Sequence, residues 1–167
     1  TEILLSALAT LFVVIDPIGI APIFISLTDG MSEAERRGVA LRAVLIAGCV
    51  LILFAALGQP LLGAMGISLP AFRIAGGLLL FWISTEMVFE KRQKRKSGSA
   101  ERSVEEDHPD DIAAFPLAVP LMAGPGAITA VILLAGRIEG TVAGIAGAAA
   151  VIVAVLAVTF AFLAAAI

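Results

Sequence analysis

Asp16 is the single acid in an apolar run that extends from residue 3 to residue 28, and Pro17 follows it directly. A carboxylate near mid-bilayer is costly, and it persists where it serves a cation, a proton or a helix end. Asp before Pro is the pattern of an N-cap with proline at the first helical position, so Asp16 suits a half-helix starting at Pro17. The same carboxylate suits a counter-charge for a substrate ammonium, a sodium ligand or a proton carrier, and both roles can hold together. A second interruption, Ala123-Gly124-Pro125-Gly126-Ala127-Ile128-Thr129, lies midway along another charge-free run. Proline removes a backbone donor and blocks the carbonyl four residues earlier, while glycine frees the backbone. In hydrocarbon such breaks survive only inside protein or along a watery cavity. Each also leaves a half-helix N-terminus whose amides and positive dipole end can hold an anionic group. The candidate site is therefore Asp16, Pro17 and Gly19 from the first break, with Gly124, Pro125, Gly126 and Thr129 from the second. Amides at 19–21 and 124–129 would hold a carboxylate, and Asp16 would face an ammonium or a coupling ion. Thr129 and exposed carbonyls would add ligands.

The elements that must position these residues follow from composition. Apolar residues make up 60% of the 167 and charged residues 15%, with a mean hydropathy of +1.06; soluble domains carry about a quarter charged residues. The chain therefore reads as an integral membrane protein that cannot fold as a soluble domain. Tyrosine is absent and Trp82 is the sole tryptophan, so the aromatic girdle and alternating strands of a membrane barrel are missing. Cys49 stands alone, which leaves no disulfide framework, CxxC pair or thiolate metal site; a buried structural thiol is its expected role. No cleavable signal peptide is expected, because Thr1-Glu2 is not a basic leader and the first apolar run is too long.

A span needs about 20 residues, and five are expected, near 3–28, 33–60, 70–89, 112–136 and 141–167. The run 43–72 is too long for one span; turn formers at Gly58, Pro60, Gly63, Gly66 and Pro70 divide it. Residues 90–111 read as one solvated flexible loop, with a basic half (Lys91, Arg92, Lys94, Arg95, Lys96) and an acidic half (Glu105, Glu106, Asp107, Asp110, Asp111). Charge blocks of this kind can also dock a partner, and His108 beside Pro109 reads as a surface residue. The loop after span 1 carries Arg36, Arg37 and Arg42, so the positive-inside rule puts 29–42 and 90–111 in the cytoplasm and the N-terminus outside. Ser32-Glu33-Ala34-Glu35 is a capping-box pattern that starts span 2. Arg73 snorkels from the end of span 3, and Glu86 is an interfacial residue or a gate. The 13 residues between them, about 20 Å of helix, prevent their pairing.

A shift of 108 residues lays Pro17 on Pro125, Ile20 on Ile128 and 23–25 on 131–133, and it lays span 2 over span 5. Three spans separate the copies, so the second is inverted relative to the first. Matched broken helices in inverted repeats point to a transporter's mid-membrane site; packing kinks are the competing account. Asp16-Pro17-Ile18-Gly19 with Pro22-Ile23-Phe24, Ser32–Arg37, Gly66–Gly77 and Pro116–Thr129 together resemble the MarC family of prokaryotic inner-membrane proteins. The likeness covers essentially the whole chain. It implies an all-α polytopic bundle of six helices in two inverted repeats of three, and kinship with LysE-type exporters and neutral amino-acid transporters. This sequence offers five of the six, with residues 1–89 as one repeat and 112–167 as an incomplete second. The expectation is that the sixth helix and part of the site fall outside it.

The expected function is alternating-access transport of small zwitterionic solutes, neutral amino acids above all, coupled to sodium, to protons or to neither. No enzyme activity, resident cofactor or nucleic-acid partner is expected. An intramembrane aspartyl protease needs two central acids, and a thiol carrier needs paired cysteines. The partners are the solute and the bilayer, and the sequence allows a homo-oligomer. A non-transporting membrane scaffold is the alternative, and flux measurements separate the two.

Overall fold

The computed structural model describes residues 2–89, 91–106, 112–137 and 142–167, without side chains at 99–106 and 142–143. The expected positions of His108, Asp107, Asp110 and Asp111 lie outside the described residues. Every regular element among them is helical: α1 (Glu2–Ile15), α2 (Pro17–Leu27), α3 (Glu33–Ala64), α4 (Leu69–Val88), α5 (Lys91–Glu106), an irregular wide-turned segment (Ala113–Met122), α6 (Pro125–Arg137) and α7 (Val142–Ala165).

Four spans are long and apolar enough to cross a membrane among the described residues: α1 with α2, then α3, α4 and α7. The irregular segment with α6 makes a fifth if the pair, bent by 59°, is one span. Large apolar side chains such as Leu45, Leu78, Phe81 and Trp82 are exposed, which water would penalise and lipid does not.

α3 is the central post. It packs on α7, α6 and the irregular segment through Ala40, Ala43, Ala47, Leu51 and Ala55, all buried. This stripe repeats at three to four residues, and its small side chains let helix backbones approach closely. Ser32 starts α3 with both bonds of a capping box. Arg36 Nε donates back to the Thr28 carbonyl at the end of α2, at 3.1 Å, so one arginine ties the first span to the second. At 32 residues α3 is about 48 Å long, which exceeds the hydrocarbon thickness and carries its charged first turn past it.

Three local outcomes differ from the sequence reading. α3 continues through Pro60 to Ala64, four residues past the expected end at 60. One proline close to a helix end costs little more than one hydrogen bond, that of the carbonyl four residues earlier. The first half of the fourth span is not a regular helix. Phe115 (φ −139°, ψ 123°) and Val119 (φ −128°, ψ 122°) are extended, the conformation forced on a residue before proline. Each precedes a cis proline, Pro116 or Pro120. Finally, residues 91–106 form a helix, and Arg92 and Lys96 are buried, where a solvated loop was expected.

Candidate functional site at the two helix breaks

The first break is a single-residue joint. Asp16 takes a left-handed backbone (φ 60°, ψ 66°) between α1 and α2, a conformation that Asp tolerates better than most residues. Its Oδ1 accepts from the Gly19 amide at 3.0 Å, so it caps α2 with Pro17 at the first helical position. Gly19 is held there: a side-chain carbon on it would collide with Asp16 Oδ2 and lie 2.7 Å from Gln93 Oε1.

That joint leaves carbonyls without donors. An unbroken helix would offer the Val14 and Ile15 carbonyls to the amides of residues 18 and 19, but the Gly19 amide is diverted to Asp16. The donors come from α5 instead. Arg92 Nη2 donates to the Val14 carbonyl and Lys96 Nζ to the Ile15 carbonyl at 3.0 Å; Gln93 Nε2 adds a bond to the Gly19 carbonyl, inside α2, at 2.7 Å. Lys96 Nζ also lies 3.5 Å from Asp16 Oδ2. Positions 92 and 96 are one turn apart on α5, so both reach the break from one face. Burial pushes the Lys96 ammonium down to about 8, against the opposing pull of Asp16.

The second break adjoins the first. A cavity of about 280 Å³ is lined by Gly124, Pro125, Gly126 and Ala127 at the start of α6, by Val14 beside the first break, and by Arg92, Arg95 and Lys96 of α5. The first helical bond of α6 runs from the Ile128 amide to the Gly124 carbonyl at 3.0 Å. The Gly126 and Ala127 amides thus precede the first intrahelical bond and form the open end of the helix dipole. A side-chain carbon on Gly126 would lie 2.5 Å from Ile83 Cδ1 and 3.1 Å from Val14 Cγ1, and one on Gly124 would strike the Pro120 carbonyl. Both glycines therefore permit close packing of the break against α1, α4 and the preceding turn.

The expected site residues divide accordingly. Gly124, Pro125 and Gly126 line the cavity. Asp16, Pro17 and Gly19 do not; Asp16 and Gly19 meet Lys96 and Gln93 of α5, and Lys96 lines it. Thr129 is buried with its methyl over Gly76, where a side-chain carbon would come within 2.5 Å; it packs α6 on α4 and is not among the cavity's lining. Glu86 accepts from Trp82 Nε1 at 3.0 Å and pairs with Arg95 at 2.8 Å, which ties α4 to α5. Arg73 is exposed and donates to the Gly136 carbonyl in the last turn of α6 at 3.3 Å. Arg92, Gln93, Arg95 and Lys96 were absent from the expected site. Their signal was the spacing of 92 and 96, obscured by the charge density around them. Cys49 is exposed on the apolar surface and not buried. Among the described residues no group of three or more His, Cys, Asp or Glu side chains gathers as a metal site would require.

A second cavity, of about 150 Å³, lies along the same α1–α6 seam toward the opposite end of α6, between Ser6, Thr10, Leu80, Leu133 and Arg137.

The profile of MarC family integral membrane proteins matches residues 1–167. The chain is 42% identical over 130 residues to the UPF0056 membrane protein MJ0972 of Methanocaldococcus jannaschii, covering 78% of the chain and 57% of that relative. It is 40% identical over 127 residues to the UPF0056 membrane protein YhcE of Escherichia coli, covering 76% and 59%. With YvbG of Bacillus subtilis it shares 34% over 153 residues, 92% of the chain and 72% of the relative. The chain spans about 57–60% of the length of the three archaeal relatives that it matches at 42% identity. No solved structure matches it.

Proposed function

The chain belongs to the MarC family of integral membrane proteins, and from that premise we propose that it carries small zwitterionic solutes across the membrane, neutral amino acids foremost. The observation that supports this reading is the placement of Lys96. Its primary ammonium rests against the Asp16 carboxylate and the Ile15 carbonyl, so the first break already holds an alkylammonium of the chain's own. The ammonium of an amino acid has the same charge and the same donors, and it would take that place when the Lys96 side chain turns away from Asp16. The second break, alongside, offers amides and cationic side chains to the carboxylate.

Alternating access fits the seam between α1 and α6, which carries one cavity at each end of α6. In the described arrangement α5 fills the first break. Departure of Lys96 from Asp16 would open it on the face that bears α5, which the positive-inside rule makes the cytoplasmic face of the prokaryotic inner membrane. Sodium coupling at Asp16 would likewise need Lys96 to leave, since a cation beside Asp16 would meet a like charge. The test is counterflow of labelled alanine, serine and glycine in proteoliposomes, with and without a sodium or proton gradient. Saturable exchange of at least one supports the reading. Its absence for all three leaves the breaks as packing features of a scaffold.

A further inference from the structure

We infer that Arg92 is the residue that reads the solute's carboxylate, in an oxyanion site completed by the Gly126 and Ala127 amides. This deepens the transport reading of the same cavity and goes beyond it by naming the group that binding requires and the side chain that selects it.

Among the described residues the charges around the cavity do not match. Arg92, Arg95 and Lys96 all line the cavity. Arg95 is paired with Glu86 at 2.8 Å, and Lys96 stands 3.5 Å from Asp16. Arg92 is only 6% exposed, yet its hydrogen-bond partners are neutral: the Val14 carbonyl and Met87 Sδ, at 3.4 Å. Its Nε is buried with no acceptor among the described residues. Among the described residues, three cations against two acids leave one positive charge over, on a side chain largely shut off from water. A guanidinium stays protonated in proteins, so it cannot escape by neutralising as a lysine can. A buried charge without a counter-ion is costly, and a helix N-terminus at the same cavity adds to the positive field. One anionic group would balance both.

Shape narrows that group. The guanidinium is a planar fork suited to carboxylate and phosphate oxygens. A cavity of about 280 Å³ suits a small solute, since drug-sized ligands occupy roughly 300–1,000 Å³. A phosphate of an anionic lipid shares the oxyanion chemistry, so the experiment separates it from a free solute.

Binding is measured without flux, so failure of the site and failure of transport are distinct. The chain in phosphatidylcholine nanodiscs is titrated calorimetrically at pH 7 with propionate, L-alanine and L-alaninamide. Propionate and alanine should bind, and alaninamide, which lacks the carboxylate, should bind at least about tenfold more weakly. Arg92→Gln should weaken propionate at least about tenfold, and Arg92→Lys, which keeps the charge but not the fork, should weaken it less. The wild-type comparison needs no variant to fold. Equal binding of alanine and alaninamide, or no binding of propionate to the wild type, would overturn the site. Loss of propionate binding when phosphatidylglycerol replaces phosphatidylcholine would assign the oxyanion to a lipid headgroup and overturn the solute reading. That result would leave the flux experiment unaffected.

Discussion

Replacing Asp16 with Asn and Lys96 with Met, singly and together, measures how strongly α5 is tied to the first break. Asn preserves the two other duties of Asp16, because it caps a helix about as well and accepts a left-handed backbone. The cycle therefore isolates the charge pair. At 3.5 Å and an effective dielectric of about 20, the attraction is roughly 5 kcal/mol before desolvation. Side-chain exposures of 10% for Lys96 and 18% for Asp16 mean that much of it is spent in removing both groups from water. A net coupling of about 1–3 kcal/mol is expected, with Asp16→Asn alone the most damaging because it leaves Lys96 buried without its counter-charge. Methionine in place of Lys96 keeps the length of the side chain and removes that burden, so the double variant should recover part of the loss. The assay is reversible unfolding of the purified chain in mixed micelles of mild detergent and dodecyl sulfate, followed by far-ultraviolet dichroism. Independent sites add to within about 0.3–0.5 kcal/mol, and a coupling inside that band would refute the account of α5 as docked by this pair.

Raising the pH from 7 toward 10 should tighten α5. Burial holds Lys96 near 8 in the docked state, with Asp16, Arg92 and Arg95 as its charged neighbours, and its ordinary value is about 10.4. Between those values the undocked state binds more protons, so docking gains as pH rises. A nitroxide at the exposed Lys94 should lose mobility over that window, and a gain in mobility would contradict the burial of Lys96. Gly126→Ala should lower the thermal midpoint in detergent by overpacking Ile83 and Val14, at a cost of about 1–3 kcal/mol that is only partly offset by alanine's better helix propensity. Gly124→Ala should cost more, because the obstacle there is the Pro120 carbonyl and not the end of a flexible side chain. An unchanged midpoint in both would show that the break relaxes freely. In a Cys49→Ala background, single cysteines at Gly98 and Gly63 should label from opposite faces, the first from the cytoplasm. Labelling of both from one face would overturn the orientation.

The features that sequence made plain are those governed by local chemistry. Asp16-Pro17 specifies a cap and a first helical turn together, and Ser32 with Glu35 specifies a reciprocal cap; both form as expected. The second half-helices of the two breaks begin at Pro17 and Pro125, the prolines that the 108-residue shift superposes. The features that local sequence does not reveal depend on distant partners. Residues 91–106 carry so much charge that composition speaks for a solvated loop, and nothing local announces that carbonyls at Val14 and Ile15, more than seventy residues earlier, await donors. A break in a helix always leaves such carbonyls, so asking which donors reach them would have pointed to a basic segment. Phe115-Pro116 and Val119-Pro120 likewise marked the irregular first half of the fourth span, since each proline constrains the residue before it. Thr129 lies outside the cavity's lining: a polar side chain beside a break suggests a ligand, and its methyl is what α4 packs against at Gly76.

The central claim is that solute passes by way of the paired breaks and uses the Asp16 charge. Counterflow of alanine, serine and glycine by wild type and Asp16→Asn, reconstituted at equal density and matched orientation, tests it most directly. The account predicts saturable exchange by the wild type, and a folded Asp16→Asn protein whose exchange falls at least about tenfold, in line with loss of a charged contact. Wild-type rates in Asp16→Asn would reduce Asp16 to a helix cap, and no exchange by the wild type would contradict the transport reading itself.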